Sequence, residues 1–236
     1  MRDPVAGQTS LVIVGASGMV GGYALRYALD NPATGVVTVI GRQKLGISHP
    51  KLKEVLHQDF TNCSALAQPL TGQDAAIFCL GVYTGAVPDP EFRKITVDYT
   101  IEFARVLRAS SPAAAFSFLS GTGADQTGRS RMAFARYKGE AERALLAAGF
   151  PRVYIFRPAY IYPVKPRVEP NFTYRLLRSI YPVFRMLFPN QVISANDLAR
   201  AMVEVLVRKT AERANQILEN RDIRAMVKTL GGQRGL

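Results

Sequence analysis

The chain has 236 residues, 48% hydrophobic and 20% charged, a length and balance that suit one soluble domain, or a large domain with a small appendage. No apolar run approaches the ~20 residues of a membrane span, and two cysteines, Cys63 and Cys79, make neither a disulfide framework nor a metal or redox pair. The net charge of +12 is uneven, with 12 basic and 3 acidic residues in 129–190, but no nucleic-acid recognition module accompanies it, so an anionic small molecule is the expected partner.

The opening "MRDPVAGQTS" is polar and predicts no signal peptide, which makes the cytoplasm the expected compartment. "SLVIVGAS" then reads as a strand covered on both faces, and "GMVGGYALRYALDNP" as a helix stopped before Pro32. "GVVTVIGR" is a second strand, "EVLHQDF" (54–60) a third and "DAAIFCLGV" a fourth. "PEFRKITVDYTIEFARVLRAS" is helical, with Phe92, Ile95, Tyr99, Phe103 and Val106 recurring every three or four residues. "AAAFSFLS" is a fifth strand, "FARYKGEAERAL" a helix and "RVYIFRPAYIY" (152–162) a sixth strand. After Pro163 comes a proline-rich stretch, then a basic and aromatic segment (171–190), a helix "ANDLARAMVEVLVRKT" and a frayed "GGQRGL". Strands alternating with helices predict an α/β, Rossmann-like, doubly wound parallel sheet over residues 1–162, with 163–236 adding a small C-terminal substrate or lid region and helices that complete the same domain.

At the first strand–helix junction stands "GASGMVG", with Gly15, Gly18 and Gly21 in frame and Ala16, Ser17, Met19 and Val20 between them. The glycines give a tight turn, close backbone approach to a pyrophosphate and close helix packing, while the helix N-terminus faces the phosphates. This places a dinucleotide. An NAD site usually carries an acid at the end of the second strand, to accept from the ribose 2′-hydroxyl. Here that place reads Gly41-Arg42-Gln43-Lys44, whose cations suit a 2′-phosphate. NADP(H) is therefore expected over NAD. Asp59 and Phe60, after the third strand, are expected beside the adenine.

Together "VIVGASGMVGGYAL", "VIGR", "FCLG", "FRKITVDYTIEFAR", "LSGTGAD", "YKGEAE" and "FRPAYIY" resemble the short-chain dehydrogenase/reductase superfamily, more narrowly its atypical branch related to Tat-interacting proteins and to the epimerase–dehydratase group. The resemblance runs over about residues 10–160 and resumes at "SANDLARAMVEVL". It implies that Leu80, Gly81 and Val82 border the cofactor, and that Pro158, Ala159 and Ile161 wall the nicotinamide.

It also implies a Tyr-x-x-x-Lys pair and a serine. Lys138 matches the lysine and Ser120 the serine, but Phe134 stands where the family keeps its tyrosine. A lysine in that role orients ribose hydroxyls and lowers the phenol pKa, while the tyrosine moves a proton as hydride moves. Phe134 has no proton to give. Tyr137 is a substitute acid only with local rearrangement, because it lies about 100° from Lys138 on a helical wheel. Tyr83, Tyr160 and Tyr162 also sit at carboxyl ends of strands and are further sources of a hydroxyl. If the tyrosine alone is missing, Phe134→Tyr gains reductase activity.

The leading expectation is an NADP(H)-dependent oxidoreductase-like protein transferring hydride to or from a small unknown substrate. A second is a non-enzymatic NADP(H) sensor that acts through a protein partner. A third, a nucleotide-sugar epimerase or dehydratase, is disfavoured by the short C-terminal part and the absent tyrosine. The segment 171–190 is expected as lid or core, ahead of a homodimer contact and of a membrane surface. No metal and no nucleic acid are expected.

Overall fold

A computed structural model of the protein describes residues 7–162, 189–208 and 215–232. Residues 171–188 of the basic aromatic segment 171–190, the proline-rich stretch before it, and residues 1–6, 209–214 and 233–236 lie outside the described residues. The chain runs β1 (Thr9–Val14), α1 (Met19–Asp30), β2 (Thr34–Gly41), β3 (Leu52–Leu56) and β4 (Ala75–Phe78). It continues through α2 (Asp89–Arg93), a π turn (Lys94–Asp98), α3 (Tyr99–Ser110), β5 (Ala115–Leu119) and α4 (Ala133–Ala147). Then come β6 (Arg152–Arg157), β7 (Tyr160–Tyr162), β8 (Val192–Ser194), α5 (Ala195–Val207), β9 (Asn215–Glu219) and α6 (Asn220–Gly232).

Seven strands form one parallel sheet in the order β3-β2-β1-β4-β5-β6-β9. The runs in β1, β4 and β5 are apolar throughout or nearly so because both faces are covered, and Leu11, Val12, Ile13 and Val14 are fully buried. One apolar layer joins β1, β2 and β6 to α1 and α5, and the other joins Val12, Phe78, Phe103 and Phe116 to α3 and α4. The order reverses direction between β1 and β4, so their loops diverge and leave a crevice at the carboxyl ends of the strands. This is the Rossmann-like, doubly wound α/β fold.

Three elements differ from the sequence expectation. The third strand lies at Leu52–Leu56 rather than 54–60, because Asp59 starts a turn in which its carboxylate accepts from the Thr61 backbone and hydroxyl, at 2.9 and 2.5 Å. The sixth strand stops at Arg157, and Tyr160–Tyr162 pairs instead with β8 in a separate two-stranded sheet. Pro158, which lacks an N–H, divides them. A seventh strand, β9, was not expected and borders β6. The long helix after the fourth strand exists but carries the π turn at its centre. Among the described residues no helix is long and apolar enough to cross a membrane.

Candidate functional site

The turn between β1 and α1 is built around two close approaches. Gly15 has φ +86°, and a Cβ there would meet the Cys79 and Leu80 backbone at 2.7–2.9 Å. A Cβ on Gly21 would come within 2.2 Å of the Gly15 carbonyl oxygen, so α1 is seated on its own entry turn. Gly18 forms the N-cap of α1 with no side-chain cap, leaving the first-turn N–H groups to a ligand or solvent.

Beside this turn lies a cavity of about 620 Å³ lined by Gly15, Ala16 and Ser17 from the turn, by Val39 to Leu45 at the end of β2 and just after it, and by Gln58, Phe60 and Leu80. Among the described residues Arg42 and Lys44 are its charged lining residues, and no carboxylate is among them. Asp59 is not in this lining; its carboxylate is engaged by Thr61, which holds it below the ordinary carboxylate range. Gln58 is, with its amide donating to the Arg42 carbonyl at 2.6 Å. Phe60 is buried, edge-on to His57. Val20 is a buried core residue behind the turn, and Gly81 and Val82 line neither this cavity nor the next.

A second cavity of about 300 Å³ adjoins the carboxyl ends of β5 and β6. Its walls include Met19, Ser120, Phe134, Pro158, Ala159 and Ile161, together with Tyr83 and Tyr160. Tyr162 is not among its walls. Phe134, Lys138 and Glu142 share one face of α4 at successive i, i+4 spacings. The Phe134 ring points at Gly121, with Cζ 2.6 Å from where a Cβ of residue 121 would stand. Lys138 lies behind the cavity, donating to the Leu119 carbonyl at 2.8 Å with its ammonium 4.8 Å from the Phe118 ring centroid. Burial lowers its pKa to about 8, partly opposed by Cys79 and Glu142. Burial pushes the Cys79 thiol up to about 12.

Ser120 is buried at the cavity wall and donates to Glu142 Oε1 at 2.5 Å. Tyr137 points elsewhere. Its hydroxyl donates to Asp89 Oδ2 at 2.6 Å, a bond that raises its pKa, and its ring packs against Phe92. The structure thus brings Ser120, Phe134, Pro158, Ala159 and Ile161 together around one cavity and leaves Tyr137 outside it.

The site also contains residues that motif reading passed over. Gln43, Leu45 and Gln58 carry no motif, and only the register of β2 beside β3 brings them together. Glu142 was visible as the next i+4 position after Lys138, but its partners Ser120 and Arg157 lie 22 and 15 residues away in the chain. Among the described residues no group of three or more His, Cys, Asp or Glu could hold a metal ion.

No protein-family profile matches the sequence. The chain is 30% identical over 154 residues to Protein HTATIP2 of Rattus norvegicus, a match covering 64% of this chain and 62% of that protein. It is 30% identical over 158 residues to "Protein fmp52, mitochondrial" of Emericella nidulans, covering 64% and 66%. The matched stretch thus spans just under two thirds of the length of these relatives. Among solved structures, the fold matches the Bordetella bronchiseptica enzyme WbmG in complex with NAD at a TM-score of 0.67 and 14% identity, covering 99% of this chain and 80% of that one. It matches UDP-glucuronic acid 4-epimerase from Bacillus cereus in complex with NAD at 0.68 and 14%, covering 95% and 84%. At such identities the likeness is one of fold.

Proposed function

We propose that this chain is an atypical short-chain dehydrogenase/reductase that holds NADP(H) along the crevice between its two cavities, with a small ligand in the smaller one. Nicotinamide dinucleotide binding is supported by the company the chain keeps in sequence and fold. The choice of NADP(H) rests on one observation. The larger cavity carries Arg42 and Lys44 where a carboxylate would be needed for an unphosphorylated ribose. The residues fit the cofactor: Gly15, Ala16 and Ser17 would hold the pyrophosphate, Arg42 and Lys44 the 2′-phosphate, and Lys138 the nicotinamide ribose. When bound, the cofactor supplies or accepts a hydride.

The chain's own contribution to chemistry is positioning. Phe134 carries no proton, and general-acid assistance of that kind is typically worth about 10²–10⁴ in rate. Ordinary carbonyl reduction is therefore expected to be slow, and a reaction whose proton comes from water or substrate is the one this site favours. The bond holding Tyr137 to Asp89 also supports a second reading, a nucleotide-responsive binding protein without turnover. Pull-down from lysate with NADP⁺ against NADPH separates the two, since only the sensor requires a partner whose capture depends on the redox state.

Calorimetry tests the core of the proposal. NADP⁺ and NADPH are expected to bind more tightly than NAD⁺, and Arg42→Ala is expected to weaken NADP⁺ by about ten- to a hundredfold with little effect on NAD⁺, as loss of a charge-assisted bond predicts. Absence of heat with either phosphorylated nucleotide overturns the reading; equal affinity for NAD⁺ overturns the cofactor preference. Cytoplasmic residence is part of the proposal, and the mitochondrial location in the fungal relative's name is the alternative that cell fractionation decides.

A further inference from the structure

The 300 Å³ cavity, on the reading that it is the ligand site beside the nucleotide, has an unusual polar wall. Among the described residues its two aliphatic hydroxyls, Ser120 and Thr122, each have one proton to give. Ser120 Oγ gives its proton to Glu142 Oε1 at 2.5 Å, and Thr122 Oγ1 donates to Glu219 Oε2 over a longer 3.4 Å. One guanidinium ties both acceptors. Arg157 Nε and Nη2 donate to Glu142 Oε1 and Oε2 at 2.9 and 2.5 Å, and Nη1 donates to Glu219 Oε1 at 3.0 Å. Gln126 Nε2 takes the remaining side of Glu142 at 2.8 Å. Glu142 is fully buried and the Arg157 side chain is 15% exposed. A carboxylate facing a guanidinium accepts and does not donate. The Ser120 proton therefore points away from the cavity and its lone pairs remain for the ligand.

We propose that the Arg157–Glu142 pair fixes Ser120 as a hydrogen-bond acceptor toward the cavity, so that the site takes alcohols or amines in preference to carbonyl compounds of the same skeleton. An alcohol or amine brings the donor that Ser120 needs. A ketone places its oxygen against another acceptor and leaves the Ser120 oxygen desolvated without a partner. Among the described residues Met19, Phe134, Pro158 and Ile161 add apolar wall, and Tyr83 and Tyr160 also line the cavity. Glu142 acts here as a positioning residue: it reaches the ligand only through the serine.

The test is ligand titration by NMR on the full chain without nucleotide, using two matched pairs, 1-phenylethanol with acetophenone and cyclohexanol with cyclohexanone. The alcohol of each pair is expected to bind at least about fivefold more tightly. In Ser120→Ala, which leaves the Arg157–Glu142 pair in place, the two members converge. In Glu142→Gln the amide can donate to Ser120 and free the serine proton, so the preference moves toward the ketone, a change that simple loosening of the fold would not produce. If Glu142→Gln does not fold, Ser120→Ala decides the matter. Equal or tighter ketone binding by the parent, an unchanged preference in Ser120→Ala, or no binding of any of the four compounds overturns the proposal. Nucleotide calorimetry on the same sample keeps the two readings apart: NADP⁺ heat with a ketone preference sinks this inference alone, and no nucleotide heat sinks the cofactor reading.

Discussion

Phe134 is seated tightly against the backbone of Gly121. Its Cζ stands 2.6 Å, and its two Cε atoms 3.4 and 3.6 Å, from the place where a Cβ on Gly121 would be, so the long axis of the ring points into that glycine. The gap lacks room for one carbon, and an oxygen on Cζ directed along the same line has no room either. Phe134→Tyr is therefore expected to give no gain in carbonyl reduction and to lower stability by about 1–3 kcal/mol, the usual result of overpacking. Steady-state assays with NADPH and a carbonyl panel, beside urea unfolding, check both halves. The family resemblance pointed to a gain, because it sets position 134 against a tyrosine but says nothing about where the ring's tip lies. Lys138 permits a second prediction. Unfolded, it keeps its proton to the ordinary 10.5; folded, to about 8. Above pH 8 the unfolded state thus binds more protons, and folding stability gains as pH rises. The thiols of Cys63 and Cys79, raised from 9.0 to about 12, pull the other way above pH 9. Between pH 8 and 9 the parent is expected to gain stability relative to Lys138→Met, measured by denaturant unfolding at each pH.

At the scale of elements, α1 and the loop before it are a single unit. Because a Cβ at position 21 meets the Gly15 carbonyl oxygen at 2.2 Å, Gly21→Ala must push α1 off the end of β1. The variant is expected to lose about 1–3 kcal/mol of stability, read from its thermal midpoint, and to lose nucleotide affinity with it. This junction was legible in the sequence, since strand, turn and helix follow one another without a break in "SLVIVGASGMVGGYAL". β9 was not. Its sequence NQILE buries only Leu218, because an edge strand is covered less completely than a central one and shows no continuous apolar run. The split of β6 from β7 was hidden for a related reason. "RVYIFRPAYIY" is β-prone on both sides of Pro158, and the decision to leave the sheet depends on β8, a partner 32 residues downstream. The Ser120–Glu142–Arg157–Glu219 system lay beyond any local pattern, since the first three come from the end of β5, α4 and β6, and Glu219 joins only when β6 is bordered by β9.

For the molecule as a whole, the +12 charge bears on binding rather than on fold. The 2′-phosphate of NADP⁺ adds negative charge that NAD⁺ lacks, so raising ionic strength from about 0.05 to 0.5 M is expected to weaken NADP⁺ more steeply than NAD⁺. Calorimetry across that range reads the difference in slope, and parallel slopes would place the excess charge away from the nucleotide. The position of β9 has a consequence for how the protein is made. Arg157 leaves the ribosome well before Glu219, 62 residues later, and β6 remains an open edge until the final strand arrives. The nascent chain therefore contains the whole β1–α1 turn early and gains the Glu219 partner of Arg157 late. Until synthesis reaches that strand, the half-made product exposes an unpaired strand edge and an arginine lacking one of its two carboxylates.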